Sequence, residues 1–185
     1  MKTLNRFIIE RLKINKNTKV IQYHYHPKDF DELRSLLEKL LEERGKDADL
    51  NDIDVSEITT FYNKDKGGLF YGLDPHNIKI DQWDVHDVEN MHSMFRHCKN
   101  FTGQGLENWK VNKVEDMYGM FKNCINFDCN LSNWKVDQVK DMAFMFNNCY
   151  KFTGQGLENW KVNKVETKYC MFDGCTSLKK YPSWN

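Results

Sequence analysis

A segment of fifteen residues, FTGQGLENWKVNKVE, occurs twice without a change, at Phe101–Glu115 and again at Phe152–Glu166. The copies lie 51 residues apart, and FDCNLSNWKVDQVK at Phe127–Lys140 is a weaker version between them, dividing the interval into periods of 26 and 25. A period of roughly 20–50 residues marks a repeat architecture, in which each unit buries its apolar face only against its neighbours. The five tryptophans obey the same rule: Trp83, Trp109, Trp134, Trp160 and Trp184 are separated by 26, 25, 26 and 24 residues.

Other residue types fall into columns of the same period. Apart from Met1, the methionines occupy two of them, Met91, Met117 and Met142 in one and Met94, Met120, Met145 and Met171 in the other. Phe95, Phe121, Phe146 and Phe172 stand beside the second, and Cys98, Cys124, Cys149 and Cys175 form a further column. Within one unit, Val114, Met117, Met120, Phe121 and Cys124 share a face at helical spacing, which predicts a short helix. Asn112 with Glu115, and Asn163 with Glu166, have the form of capping boxes at its start. Trp109 and Val111 flank Lys110 with the period of two of a strand. Each unit is therefore expected to pair one very short strand with one short helix.

The chain before the repeats reads differently. Residues 2–14 place Leu4, Phe7, Ile8 and Leu12 on one side of a possible helix, which docks on the fold or lies on a membrane surface. Thr18–Pro27 has the imperfect alternation of an edge strand. Over residues 29–44, Asp29 and Glu32 make a capping box, Leu33, Leu36, Leu37, Leu40 and Leu41 form an apolar stripe, and Gly45 stops the helix. Residues 1–48 are thus expected to cap a repeat region at 49–185, with turns starting near Ile53, Trp83, Trp109, Trp134 and Trp160 and an insertion near Asn63–Gly68. At the far end, Lys168 replaces the column methionine, and Lys179, Lys180 and Pro182 discourage a further strand.

Composition excludes several functions. With 27 basic and 27 acidic residues the chain carries no net charge, whereas a nucleic-acid binder needs a basic excess or stripe. No apolar run approaches the roughly 18 residues of a membrane span, and the N-terminal stretch lacks the apolar core of a signal peptide. A cytoplasmic location is expected, the alternative being the cell surface by an unconventional route. Four of the six cysteines share one repeat position, which favours a column of buried, reduced thiols over disulfides; Cys129 and Cys170 have no evident partner. His92, His97 and Cys98, like His24 and His26, lack the paired spacing of a structural zinc site. The Gly103–Gly105 segment lacks the further glycine of a dinucleotide loop. No nucleophile stands beside a base, so neither catalysis nor a cofactor or metal is expected.

Lys110, Lys135 and Lys161 recur at the outward position of the expected strand, where stacking would set like charges roughly 5 Å apart. Glu107 and Glu158, three residues before two of them, could neutralise the row into an ordinary solvated face. The alternative is a recognition stripe for an acidic protein partner, and these five residues are the candidate partner-binding set.

The unit W-x-V-x-x-V-x-x-M-x-x-M-F-x-x-C-x-x-F-x-x-x-L-x-x-W, as in Trp109–Trp134, resembles the BspA-like leucine-rich repeat of bacterial surface proteins, over roughly residues 50–185. The serine that commonly follows the valine is here His86, Asn112, Asp137 or Asn163. The resemblance implies an α/β, leucine-rich-repeat-like solenoid of short strands and short helices, of about five turns with an N-terminal helical cap, that binds other proteins. The expected function is a non-enzymatic protein-binding module of bacterial or phage origin. An adhesin that attaches to host matrix or other cells is the alternative.

Overall fold

The computed structural model of the protein describes residues 22–184. The helix expected over residues 2–14 and the first part of the edge strand expected from Thr18 lie outside the described residues. Of that strand, Tyr25 forms one parallel bridge with Ile53.

Helix α1 spans Phe30–Arg44. The Asp29 side chain accepts the Glu32 N–H at 2.9 Å, and Glu32 in turn accepts the N–H of Lys28 at 3.0 Å. These bonds satisfy donors that a helix start leaves open. The helix ends at Gly45, whose φ of 83° suits a residue without a Cβ. Leu33, Leu37, Leu40 and Leu41 are buried, in a core cluster continuous with that of the repeats. On the polar side, one Arg34 amino group donates to the carbonyls of Leu69 and Tyr71 at 2.8 and 2.9 Å. Those carbonyls lie just beyond the insertion, which folds as an antiparallel hairpin of β1 (Tyr62–Asn63) and β2 (Gly67–Gly68).

Beyond the hairpin the repeats stack in register. Each tryptophan donates its indole N–H to a carbonyl of the preceding unit: Trp83 to Leu50 at 2.9 Å, Trp109 to Ile80 at 3.0 Å, Trp134 to Leu106 at 2.8 Å, Trp160 to Leu131 at 3.1 Å and Trp184 to Leu157 at 2.8 Å. The rings lie parallel, Trp134 over Trp160 at 6.4 Å and 1°. The phenylalanines follow suit, Phe95 over Phe121 at 5.8 Å and Phe121 over Phe146 at 5.7 Å. The column thiols do the same, Cys124 donating to the Phe95 carbonyl at 2.8 Å and Cys149 to that of Phe121 at 3.0 Å. All six cysteines are free.

The expected class, an α/β solenoid whose turns each hold a short strand and a short helix, is overturned. Among the described residues there is one α-helix, α1, and one two-stranded sheet, β1–β2, with a three-residue 3-10 turn at Leu157–Asn159. The helix expected over Val114–Cys124 and the strand expected at Trp109–Val111 are absent, and the pairs Asn112/Glu115 and Asn163/Glu166 start no helix. The backbone explains why. Gly119 and Asn123 have φ of 56° and 63°, and left-handed residues at that interval cannot continue a right-handed helix. The amides alternate instead. Met117, Gly119, Phe121 and Asn123 donate to Asp141, Ala143, Met145 and Asn147 of the next unit at 2.8–2.9 Å, while Met120, Lys122 and Cys124 donate back three residues at 2.9–3.2 Å. A helix would keep all these bonds within one unit; here four of the seven belong to the stack.

Two predictions follow from this packing. Trp134→Phe removes an indole N–H bond and leaves a void, and is expected to cost about 2 kcal/mol, read as a lower denaturation midpoint at unchanged m. Burial raises the column thiols, Cys175 to about 12, and Cys129 is also held up by burial. Cys170 is raised too, chiefly by its hydrogen bond to Asp173, but it alone of the six is not buried, so a thiol reagent is expected to modify one cysteine before the other five in the native protein and all six after denaturation.

Candidate functional site

A second column, on the outside of the stack, is set by the residues that bridge successive units. Thr60, Asn90, Asp116, Asp141 and Thr167 form a ladder of parallel bridges. Each side chain accepts the N–H two residues on: Tyr62 at 3.2 Å, His92, Tyr118 and Ala143 at 2.8 Å, and Tyr169 at 3.3 Å. These turns of Asx and Ser/Thr type hold the following residue at the same height in every unit. Four of the five residues so held carry rings.

The rings make a row. Tyr62 meets His92 at 4.3 Å, His92 stacks on Tyr118 at 4.6 Å, Tyr118 meets Phe144 at 5.6 Å, and Phe144 meets Tyr169 at 5.4 Å. Phe144 stands one residue beyond Ala143 and fills the gap that the alanine leaves. It does so with φ of 57°, a left-handed conformation that costs a bulky side chain of the order of 1–3 kcal/mol. Its column mates include Ser93 and Gly119. Tyr169 is 67% exposed and Tyr71, beside the row, 41%.

Cations flank the rings. Lys122 lies 4.1 Å from the Phe144 ring centre, and the Arg96 guanidinium 6.0 Å from that of Tyr71. His97 is held below its usual range by burial and by Arg96, Lys99 and Lys122, so this edge of the row is electropositive. The other edge is acidic. Asp141 is raised by burial above the usual carboxylate range, Asp116 adding to the rise and the Ala143 N–H opposing it.

The residues picked out from sequence lie elsewhere. Lys110, Lys135 and Lys161 are exposed, and among the described residues no ion pair or hydrogen bond engages them. Lys135 and Lys161 line one open groove with Trp134 and Asp137. Glu107 accepts the Gly105 N–H at 2.8 Å and so secures its own turn, and Glu158 is exposed in the 3-10 turn. Cross-unit pairs use other lysines, Lys140 with Glu115 at 2.6 Å and Lys113 with Asp87. The ring row was missed, although the position after the column methionine, His92, Tyr118, Ala143 and Tyr169, is cyclic in three units of four. Among the described residues no group of three or more His, Cys, Asp or Glu could hold a metal, and no helix is long and apolar enough to cross a membrane.

A stack of turn-built repeats with an outer aromatic row defines the class. Residues 64–184 match the family described as Mycoplasma protein of unknown function, DUF285, and the chain belongs to that family. Comparisons with curated proteins and with solved structures found no match.

The Asx turns generate a pH test. Asn90 secures the His92 N–H at the same 2.8 Å as the aspartates do in their units, so Asp141→Asn preserves the turn and removes the half-buried charge. A carboxyl raised in the folded state binds its proton more readily folded than unfolded, so it destabilises the fold once pH exceeds both values. The variant is expected to melt higher than wild type at pH 7, with the gain shrinking as pH falls through the carboxylate range.

Proposed function

We propose that the protein is a non-enzymatic module that binds another protein through the row Tyr62, His92, Tyr118, Phe144 and Tyr169. The observation that carries this reading is the continuity of the row across five units, maintained at Ala143 by a strained Phe144. Aromatic side chains supply large contact area at little entropic cost and are enriched where protein interfaces concentrate their energy. The left-handed position recurs in the scaffold at Ser93, Gly119 and Cys170, and its occupation by phenylalanine rather than glycine at Phe144 is what keeps the row continuous. The resemblance of the repeat to BspA-like repeats favours protein recognition as well. The unpaired Lys110, Lys135 and Lys161 lie on another arc and would steer an acidic partner without anchoring it. The module is placed in the cytoplasm, a reducing compartment that its six free thiols suit.

The test begins with affinity purification from the native organism, followed by binding kinetics of the captured partner. Tyr118→Ser with Tyr169→Ser is expected to weaken binding by about 2 kcal/mol, roughly 30-fold, through a faster off-rate at unchanged melting temperature. Lys110→Glu, Lys135→Glu and Lys161→Glu together are expected to slow association and to leave the off-rate alone. Full binding by the tyrosine variant would reject the row as the binding face.

A further inference from the structure

Four left-handed residues, one in each of four successive units, form a column of their own: His97, Asn123, Asn148 and Gly174, with φ of 67°, 63°, 59° and 80°. Their side chains meet along the stack. Asn148 Nδ2 donates to Asn123 Oδ1 at 2.9 Å, and Asn123 Nδ2 lies 3.2 Å from His97 Nδ1. Asn123 turns its oxygen to Asn148 and so offers the ring an N–H. His97 Nδ1 is then the acceptor, and the neutral ring carries its proton on Nε2. Beyond Asn148 the column closes on Gly174, where a Cβ would lie 2.3 Å from Asn148 Oδ1. Glycine in that slot leaves the last amide its room.

Such a ladder has a polarity, with each amide pointing its N–H toward the earlier unit. The oxygen and nitrogen of an amide are nearly the same size, so the reversed ladder fits the same space and keeps the same two bonds. The imidazole at its end selects between the two orders. Once protonated, it has an N–H at both nitrogens and accepts nothing, which sets donor against donor at Asn123. A half-turn of the Asn123 amide relieves this, giving Oδ1 to His97 in a charge-assisted bond. The same half-turn faces the Asn123 NH2 with that of Asn148, and Asn148 must turn as well.

The surroundings of the ring set when this happens. His97, Asn123 and Asn148 are half-buried, so the ring takes its proton from solvent. Among the described residues the charged groups acting on it are all cations, Arg96 and Lys99 of its own turn and Lys122 of the next unit. From the preceding turn the Tyr71 ring meets it edge-on at 5.9 Å. Burial first, and then the cations, hold His97 below its ordinary range. At neutral pH the ladder therefore rests in the order described, and acid reverses it.

We propose that His97, Asn123 and Asn148 form a proton-operated relay, in which protonation of His97 reverses both amides in concert and carries the change to Gly174, three units along the stack. Two hydrogen-bonded orders of one side-chain array are the bistable element that such a switch needs.

The ring resonances of His97 and the side-chain NH2 resonances of Asn123 and Asn148 are followed in the full chain from about pH 8 to about pH 5. All three are expected to move with one midpoint, below about 6.5, and the NOE from the Asn148 NH2 to the Gly174 Hα is expected to strengthen in acid. His97→Asn continues the column with the residue that holds its next two positions, so the fold is kept and both amides are expected to stay fixed over the same range. Asn123→Gly places in the middle of the column the residue that ends it, and cuts the relay. In that variant His97 is expected to titrate still, while Asn148 no longer responds. A shift that reached Asn148 through space would survive the cut. An Asn148 amide that fails to follow His97 in the wild type, follows it equally in Asn123→Gly, or still moves in His97→Asn would overturn the inference.

Discussion

Between Met117 and Asn123 every second amide finds its acceptor in the neighbouring unit, and the rest of the architecture depends on that division. A unit standing alone would leave four donors open, each costing about 1–3 kcal/mol if buried unpaired. The same amides impose the spacing at which the indole rings stack, the thiols reach the phenylalanine carbonyls and the Asx turns line up outside. Column packing and backbone bonding are therefore one cooperative event, and stability resides in the interfaces between units.

The division also explains what could be read from the chain and what could not. The columns of Trp83–Trp184, Met94–Met171 and Cys98–Cys175 were visible because burial fixes residue type. Helix α1 was visible because Asp29, Glu32, the leucine stripe and Gly45 act locally and agree. The internal form of the unit was not. Val114, Met117, Met120, Phe121 and Cys124 have helical spacing, but overlapping three-residue turns place side chains inward at much the same interval. What separates the two is the sign of φ at two positions, filled by Ser93, Gly119, Phe144 and Cys170 in one column and by His97, Asn123, Asn148 and Gly174 in the other. Only Gly119 and Gly174 declare it by composition. The class of fold was therefore misread where its period was read correctly.

The candidate site was harder still. Lys110, Lys135 and Lys161 were recognised as outward and are exposed, since alternation with Trp109 and Val111 is a local signal. The aromatic row was concealed by Ala143, which interrupts the column, and by Phe144, which restores the ring from the adjacent one. Nor does any motif mark the seat of the hairpin, where an insertion at Asn63–Gly68 folds over Ser93 and Arg96, a contact between segments that only tertiary structure brings together.

The amides that cross between units all point the same way in this arc. Along Met91–His97, Met117–Asn123 and Met142–Asn148 the alternate donors face the later unit and the carbonyls at Asp116, Tyr118, Met120 and Lys122 face the earlier one, whereas the amides of Glu115, Asp116, Lys140 and Asp141 on the bridge ladder donate to the earlier unit. The stack consequently has a direction, and its two ends differ in kind. Toward the beginning, the carbonyls of Leu69 and Tyr71, just after the hairpin, are met by the Arg34 guanidinium. At the other end the amides of Lys168, Cys170, Phe172 and Gly174 have no following unit among the described residues. A duplicated unit inserted anywhere in the interior meets acceptors on one side and donors on the other without further change. The unaltered copy at Phe152–Glu166 is the kind of event such directionality tolerates, and lengthening by internal copying is the growth this backbone permits at least cost.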